Sequence, residues 1–332
     1  MRILGAGTRR GFGTHDNHRD DAEVIRHNTV LILGAGASEP YGLPLGRELL
    51  IALCKLAKLP ERDERVAVFE RGGFELDDVR RFGTALHRSA ANSIDTFLAR
   101  RRELSDLGKL AIACEICPRE GADAFHAGLN GHWYAHLWNR MHRDIEAFRD
   151  VPHANHLRVI TFNYDRSLEF FLYNAILNFY GCTPDDAQAV LDQLQILHVY
   201  GQVGPFHHAG LQGGMRYGPH PHPELYVRAA AGINIIADAR AESPNFAESR
   251  RWLEEAEFIC FVGFGFDQLN LERLDVASVM GVRPSRPYIC ASTLGMTAAE
   301  IGQAKRMIVP NFEWSTQSMS SLDFLRNEHV LF

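Results

Sequence analysis

The chain has no apolar run near the roughly 18 consecutive residues that would cross a bilayer, which excludes a membrane-spanning helix on sequence grounds. It has no excess of basic residues. With a formal net charge of -6 there is no general positive surface to invite nucleic acid. The arginine clusters Arg9–Arg10, Arg80–Arg81 and Arg100–Arg102 are short and interleaved with acids, as on solvated helix faces. A disulfide framework is also missing, because the six cysteines lie far apart except for Cys114 and Cys117. The first residues lack the apolar core of a secretory signal, so a reducing, cytoplasmic setting is expected. No internal repeat or low-complexity tract is visible.

What is present is an ordinary globular composition of 332 residues, 46% hydrophobic and 23% charged. That length suits one large α/β domain carrying an insertion, or two domains. Residues 1–27 are polar and aperiodic and read as a flexible N-terminal arm. Thr29 to Leu33 is a continuous apolar run, as in a strand buried on both faces of a parallel sheet. Further strand signals follow at Leu157–Phe162, Ile196–Tyr200, Gly232–Ala237, Phe258–Val262 and Pro287–Ala291. Helical spacing separates most of them, at Arg166–Phe179, Ala187–Leu194 and Phe246–Ala256. This alternation predicts a Rossmann-like, doubly wound parallel sheet over 28–332. From about 60 to 150 the pattern turns to charged amphipathic helices and predicts a helical insertion subdomain. The Gly/His/Pro-rich stretch from Gly204 to Pro223 reads as a long loop of the kind that lines a site.

The first strand ends in Gly34-Ala35-Gly36-Ala37-Ser38, and helical spacing resumes at Leu45. Small residues between a strand and a helix let backbone approach a pyrophosphate, and unpaired N–H groups there face its charge. The dinucleotide fingerprint G-x-G-x-x-G is incomplete, because Glu39 takes the place of the third glycine. No acid follows at the end of a second strand about 20 residues on, which weakens a dehydrogenase reading. A second Gly-Ala-Gly at residues 5–7 lacks both the strand and the helix and is incidental.

Three segments together resemble the sirtuin superfamily, and more closely its bacterial SIR2-like branch. Gly34-Ala35-Gly36-Ala37-Ser38 with Gly42-Leu43-Pro44 is similar to the family's GAGxS…GxP loop. Thr161-Phe162-Asn163-Tyr164-Asp165 is similar to its T-x-N-x-D strand end. Phe261 to Asp267, with Gly263, Phe264, Gly265 and then Asn270, resembles the late glycine turn that cradles the adenosine half of the cofactor. Ser93-Ile94-Asp95-Thr96-Phe97-Leu98 and Gly108-Lys109 through Ala113 echo the branch's helical insertion. The resemblance implies that NAD is bound as substrate, with Gly34, Ala35, Gly36, Ser38, Pro44, Thr161, Gly201, Gly263, Phe264, Gly265 and Asn270 around it. Deacylating sirtuins hold zinc with two C-x-x-C pairs. Cys114-Glu-Ile-Cys117 is the only such pair here; His126 and His132 are imaginable further ligands, but tetrahedral zinc needs four, so no metal is expected.

In the family an asparagine at the position of Asn163 holds the nicotinamide ribose and the attacking water. A neutral amide donates and accepts hydrogen bonds beside a carbon becoming an oxocarbenium ion. Asp165 supports the ribose hydroxyls or orients Asn163. The family's histidine is displaced, since alignment on Gly201 puts Tyr200 in its place. His198, two residues earlier, would share Tyr200's face on a strand. Either Tyr200 or His198 does the histidine's work, or catalysis is lost; His207 and His208 are further candidates.

The resemblance thus implies an NAD glycohydrolase acting in bacterial anti-phage defence by NAD depletion. Such an enzyme needs control, and a homo-oligomer or regulatory protein partner is expected, with the aromatic faces of the 60–150 block as its surface. The alternative is a non-catalytic NAD or ADP-ribose-binding module that signals through assembly.

Overall fold

The computed structural model describes residues 24–125, 132–211, 213–235, 243–282, 286–308, 315–328 and 331. At its centre lies a parallel sheet of strands β1 (Thr29–Leu33), β2 (Leu157–Thr161), β3 (Gln195–His198), β4 (Phe258–Val262), β5 (Tyr288–Ser292) and β6 (Ser315–Gln317). They run in the order β3-β2-β1-β4-β5-β6, flanked by helices, so the fold is Rossmann-like and doubly wound as predicted. Every residue of β1 is buried, which explains its unbroken apolar run. The topological switch point falls between β1 and β4, where α/β sheets open a crevice beyond their carboxyl ends.

The sequence-predicted strands match closely at β1, β2, β4 and β5. At the third, pairing stops at His198, and Val199 and Tyr200 form a turn. Gly232–Ala237 does not join the sheet over its described part; Ile233 makes an isolated antiparallel bridge to Gly201, and residues 236 and 237 lie outside the described residues. β6, three half-buried polar residues, carried no apolar signal. Ile25, assigned to the N-terminal arm, is fully buried. Its N–H donates to Asn155 Oδ1 at 3.2 Å and its carbonyl accepts from His156 N at 2.8 Å. Residues 1–23 of that arm lie outside the described residues.

Between β1 and β2 the chain forms helices at Arg65–Arg71, Leu76–Ser89, Ile94–Arg100, Ser105–Ile116 and Trp133–Met141. Ser105–Ile116 is buried on nearly all sides from Leu107 onward, as the central helix of such a block must be. Trp133–Met141 carries the aromatic run, and it faces inward. Trp133 Nε1 donates to Ala37 O at 2.7 Å, Tyr134 N to Tyr41 Oη at 3.0 Å, and the rings of Tyr41 and Tyr134 stack at 4.0 Å. The aromatic stripe read as a partner surface instead clamps the helical block onto the first glycine turn. Cys114 and Cys117 are buried. Burial pushes the Cys114 thiol up to about 12, which disfavours the thiolate that zinc requires. His132 stacks on Tyr41 at 5.2 Å; His126 lies outside the described residues. No helix among the described residues is long and apolar enough to cross a membrane.

Candidate functional site

A cleft of about 900 Å³ opens at the carboxyl ends of β1, β2 and β4. Gly34, Ala35, Gly36 and Pro44 line one wall, Asn163 and Asp165 another, and Gly263, Phe264, Gly265 and Asn270 a third. The two glycine turns meet back to back. Gly36 N donates to Gly263 O at 3.0 Å and Gly34 N to Val262 O at 3.1 Å, while Gly263 N donates to Ser292 Oγ at 2.8 Å. A Cβ on Gly34 would sit 2.6 Å from Gly263 O, and one on Gly263 would sit 2.1 Å from Ala37 N. These glycines are therefore needed first for turn-on-turn packing. Ala37 N is also spent, on Gly34 O, so the turn has fewer free N–H groups for an anion than its sequence suggests.

The same geometry separates the glycines by experiment. Gly263 has φ +56°, so Gly263→Ala combines left-handed strain of about 1–2 kcal/mol with a backbone overlap costing about 1–3 more. A large fall in melting temperature is expected. Gly265, with nothing within 4 Å of its virtual Cβ, should take alanine with little loss of stability. Equal destabilisation by the two substitutions would contradict this packing.

Asn163 is held from below. Its Nδ2 donates to Gly34 O at 3.0 Å and to Ser38 Oγ at 2.8 Å, and its backbone N donates to Thr161 Oγ1 at 3.1 Å. A carbonyl oxygen can only accept, so the amide group facing Gly34 must be the NH₂. Both amide hydrogens are then committed, which leaves Asn163, on the cleft lining, with Oδ1 as a pure acceptor. Ser38 and Thr161 act as buried supports beneath it. Asp165 lines the cleft, but its Oδ1 accepts from the backbone N of Ser167 at 3.0 Å and from the Ser167 hydroxyl. It thereby caps the helix Ser167–Tyr180, as Asx residues do after strands. Burial holds its carboxyl above the ordinary range.

His198 and Tyr200 are not where the resemblance suggests. Because β3 ends at His198, the two do not share a strand face, and neither lines the cleft. His198 is buried behind Asn163, with Nδ1 at 2.9 Å from Asn163 O and Nε2 at 2.6 Å from Glu169 Oε1. Both ring nitrogens face acceptors, an arrangement that favours the doubly protonated ring and leaves no free nitrogen lone pair directed at the cleft. Burial is the largest single influence and lowers the His198 pKa, but the Glu169 carboxylate, the Asn163 carbonyl and Asp165 together raise it, and the net direction is upward. A histidine raised in the folded state stabilises fully below its unfolded value, about 6.5, and loses that stabilisation as pH rises through the folded value. The stability gap between the wild-type chain and His198→Gln, measured by urea unfolding, should be largest below pH 6.5 and shrink above it. A gap that widened with pH would count against the charged pair.

Tyr200 donates its hydroxyl to Asn270 Oδ1 at 2.6 Å and accepts from Arg273 Nη1 at 2.5 Å. It fixes Asn270, which does line the cleft. Gly201, at φ +67°, lies against Gly232 O and away from the cleft. His207 accepts from Ala209 N at 3.1 Å, and His208 stacks on Tyr173 at 5.4 Å. Both organise the Gly/His-rich loop and neither lines the cleft.

Asp95, Asp267, Arg47 and Ser292 also line it, and none was singled out from the sequence as a site residue. Asp267 caps the helix Gln268–Leu274 through Leu269 N and Asn270 N at 3.0 and 3.2 Å; an Asp before an apolar helix was a readable cap signal. Asp95 lay inside the Ser93–Leu98 echo but had no assigned task. Among the described lining residues the acids Glu39, Asp95, Asp165, Asp267 and Glu300 face Arg47 as the lone Lys or Arg. A bound pyrophosphate would thus depend on backbone N–H groups and Arg47. Apolar Leu294, Met296 and Met319 line the cleft near Ser292, and Leu294 is 67% exposed. Neither a family model nor a curated protein matches the chain.

Proposed function

We propose that this chain binds NAD in the cleft and hydrolyses the bond between nicotinamide and ribose. The observation that carries the reading is Asn163, an acceptor-only amide fixed at the end of β2 where the two glycine turns meet. Oδ1 accepts from the attacking water and lies beside the carbon that gains positive charge. Nicotinamide leaves as a neutral molecule and needs no protonation, so a site without an acid for the leaving group suffices. The apolar surface of Leu294, Met296 and Met319 suits an adenine ring, and the Asn163 end suits the nicotinamide ribose. The likeness of the three motifs to SIR2-like proteins supports the same reading, and with it a role in anti-phage defence by NAD depletion under control of self-assembly or a partner protein.

The second reading, a non-catalytic NAD or ADP-ribose-binding module, is favoured by the withdrawal of His198 and Tyr200 from the cleft. Incubation with NAD, at low and high protein concentration, followed by chromatography for nicotinamide, separates the two. Release above the Asn163→Ala background supports cleavage. NAD binding by calorimetry without release under either condition supports the binding module.

A further inference from the structure

A carboxylate that no strand delivers stands on the cleft wall. Asp95 lies in the first turn of the helix Ile94–Arg100, whose N-cap Ser93 accepts from Thr96 N at 3.1 Å. Tyr164, the residue after Asn163, donates its hydroxyl to Asp95 Oδ1. Among the described residues no other side chain bonds to the Asp95 carboxylate, and the residue lines the cleft. The other lining acids are engaged or peripheral. Asp165 and Asp267 cap helices, Glu300 accepts from Thr297 N at 2.7 Å, and Glu39 is exposed.

An attacking water points one lone pair at carbon and needs acceptors for its two hydrogens. Asn163 Oδ1 supplies one but is far too weakly basic to take a proton. His198 does not line the cleft and has both ring nitrogens engaged with Asn163 O and Glu169, and Tyr200 is engaged with Asn270 and Arg273. We infer that Asp95 is the general base of this site, the carboxylate that takes the proton from the water held by Asn163. The inference rests on the NAD-cleavage reading above. The C1′–N bond breaks and its electron pair stays on the nicotinamide nitrogen, quenching the ring's positive charge. The water oxygen bonds C1′, and one of its protons passes to Asp95 and then to solvent, giving ADP-ribose, nicotinamide and H⁺. Burial raises the Asp95 pKa; the Tyr164 hydrogen bond and the Arg273 charge lower it, Asp267 raises it, and the net direction is upward. A carboxylate raised in this way is a stronger base than a solvated one. Tyr164 is a positioning residue, itself buried and acting through Asp95.

Asp95→Asn, the near-isosteric variant, should lower kcat for nicotinamide release by about 10²- to 10⁴-fold while the Kd for NAD changes only a few-fold. The acid limb of the pH–rate profile should disappear with it. In Asp95→Ala, added azide should restore turnover as the azido adduct of ADP-ribose, since azide carries no proton to remove. Tyr164→Phe deletes a bond that lowers the Asp95 pKa, so its acid limb should move to higher pH. Melting curves show whether each variant is folded; if Asp95→Asn is not, the Tyr164→Phe profile decides. Wild-type kcat in Asp95→Asn, or an unmoved acid limb in Tyr164→Phe, overturns the inference and leaves NAD cleavage standing. A wild-type chain that binds NAD without releasing nicotinamide overturns both.

Discussion

Asn163→Ala is expected to lower nicotinamide release by about 10²- to 10³-fold, the usual cost of deleting one preorganised dipole aimed at developing charge. The effect follows from the direction of the amide. Gly34 O and Ser38 Oγ consume both Nδ2 hydrogens, so the dipole's direction is fixed before any ligand arrives. Fixed dipoles cost no reorganisation when charge appears. Alanine removes that end and also leaves Gly34 O and Ser38 Oγ without their donor, which adds a stability cost of about 1–3 kcal/mol. Asn163→Asp separates the two effects. It keeps the shape, but a carboxylate facing Gly34 O would repel it, so the variant should melt lower than Asn163→Ala unless it holds a proton. Kinetics at saturating NAD, with melting curves alongside, test both parts. A variant with unchanged kcat would remove Asn163 from the chemistry.

How much of this was legible depends on whether a feature is local. β1 announces itself because a strand buried on both faces must be apolar throughout, and β4 and β5 read the same way. β6 gave no such signal, since three half-buried residues at a sheet edge need not be apolar. Gly232–Ala237 has strand composition, yet β-propensity does not say whether a neighbouring edge is free, and among the described residues Ile233 pairs only with Gly201, just after the turn that ends β3. At the site, Asn163 was singled out by the T-x-N-x-D resemblance, and its place just after β2 follows from local sequence. The misreading of His198 and Tyr200 came from extending β3 by two residues, which put both on one face; strand ends are where sequence periodicity says least. The contact between the two glycine turns, and the reach of the helical block to Asp95 and Trp133, are long-range facts that no periodicity encodes. The Ser93–Leu98 stretch stood out as a pattern, but only its position over the cleft gives Asp95 a task.

The largest loss of stability is expected from Glu120→Ala, about 3–5 kcal/mol by urea unfolding, because it strands a charge in the interior. Glu120 and Arg166 are both fully buried. Glu120 Oε1 accepts from Arg166 Nε at 3.0 Å and from its backbone N at 3.1 Å, a second bond joins the Arg166 fork to Oε2, and Gly218 N reaches Oε2 at 3.3 Å. Two further guanidinium hydrogens go to Met215 O and Arg216 O, each at 3.0 Å. The pair thus ties the end of the helical block to the residue following Asp165 and to the Gly/His-rich loop. Alanine at 120 leaves the guanidinium without its counter-charge, which costs far more than the pair is worth against an apolar replacement. Glu120→Ala combined with Arg166→Met should therefore recover much of the loss, with a coupling energy well outside additivity. The double variant is also the sharper probe of function. If the clamp matters only for folding, nicotinamide release should return with stability. If it holds the Asn163 loop in register against the helical block, stability should return while kcat stays low, because Asn163 Oδ1 and Asp95 would no longer be held to the same water.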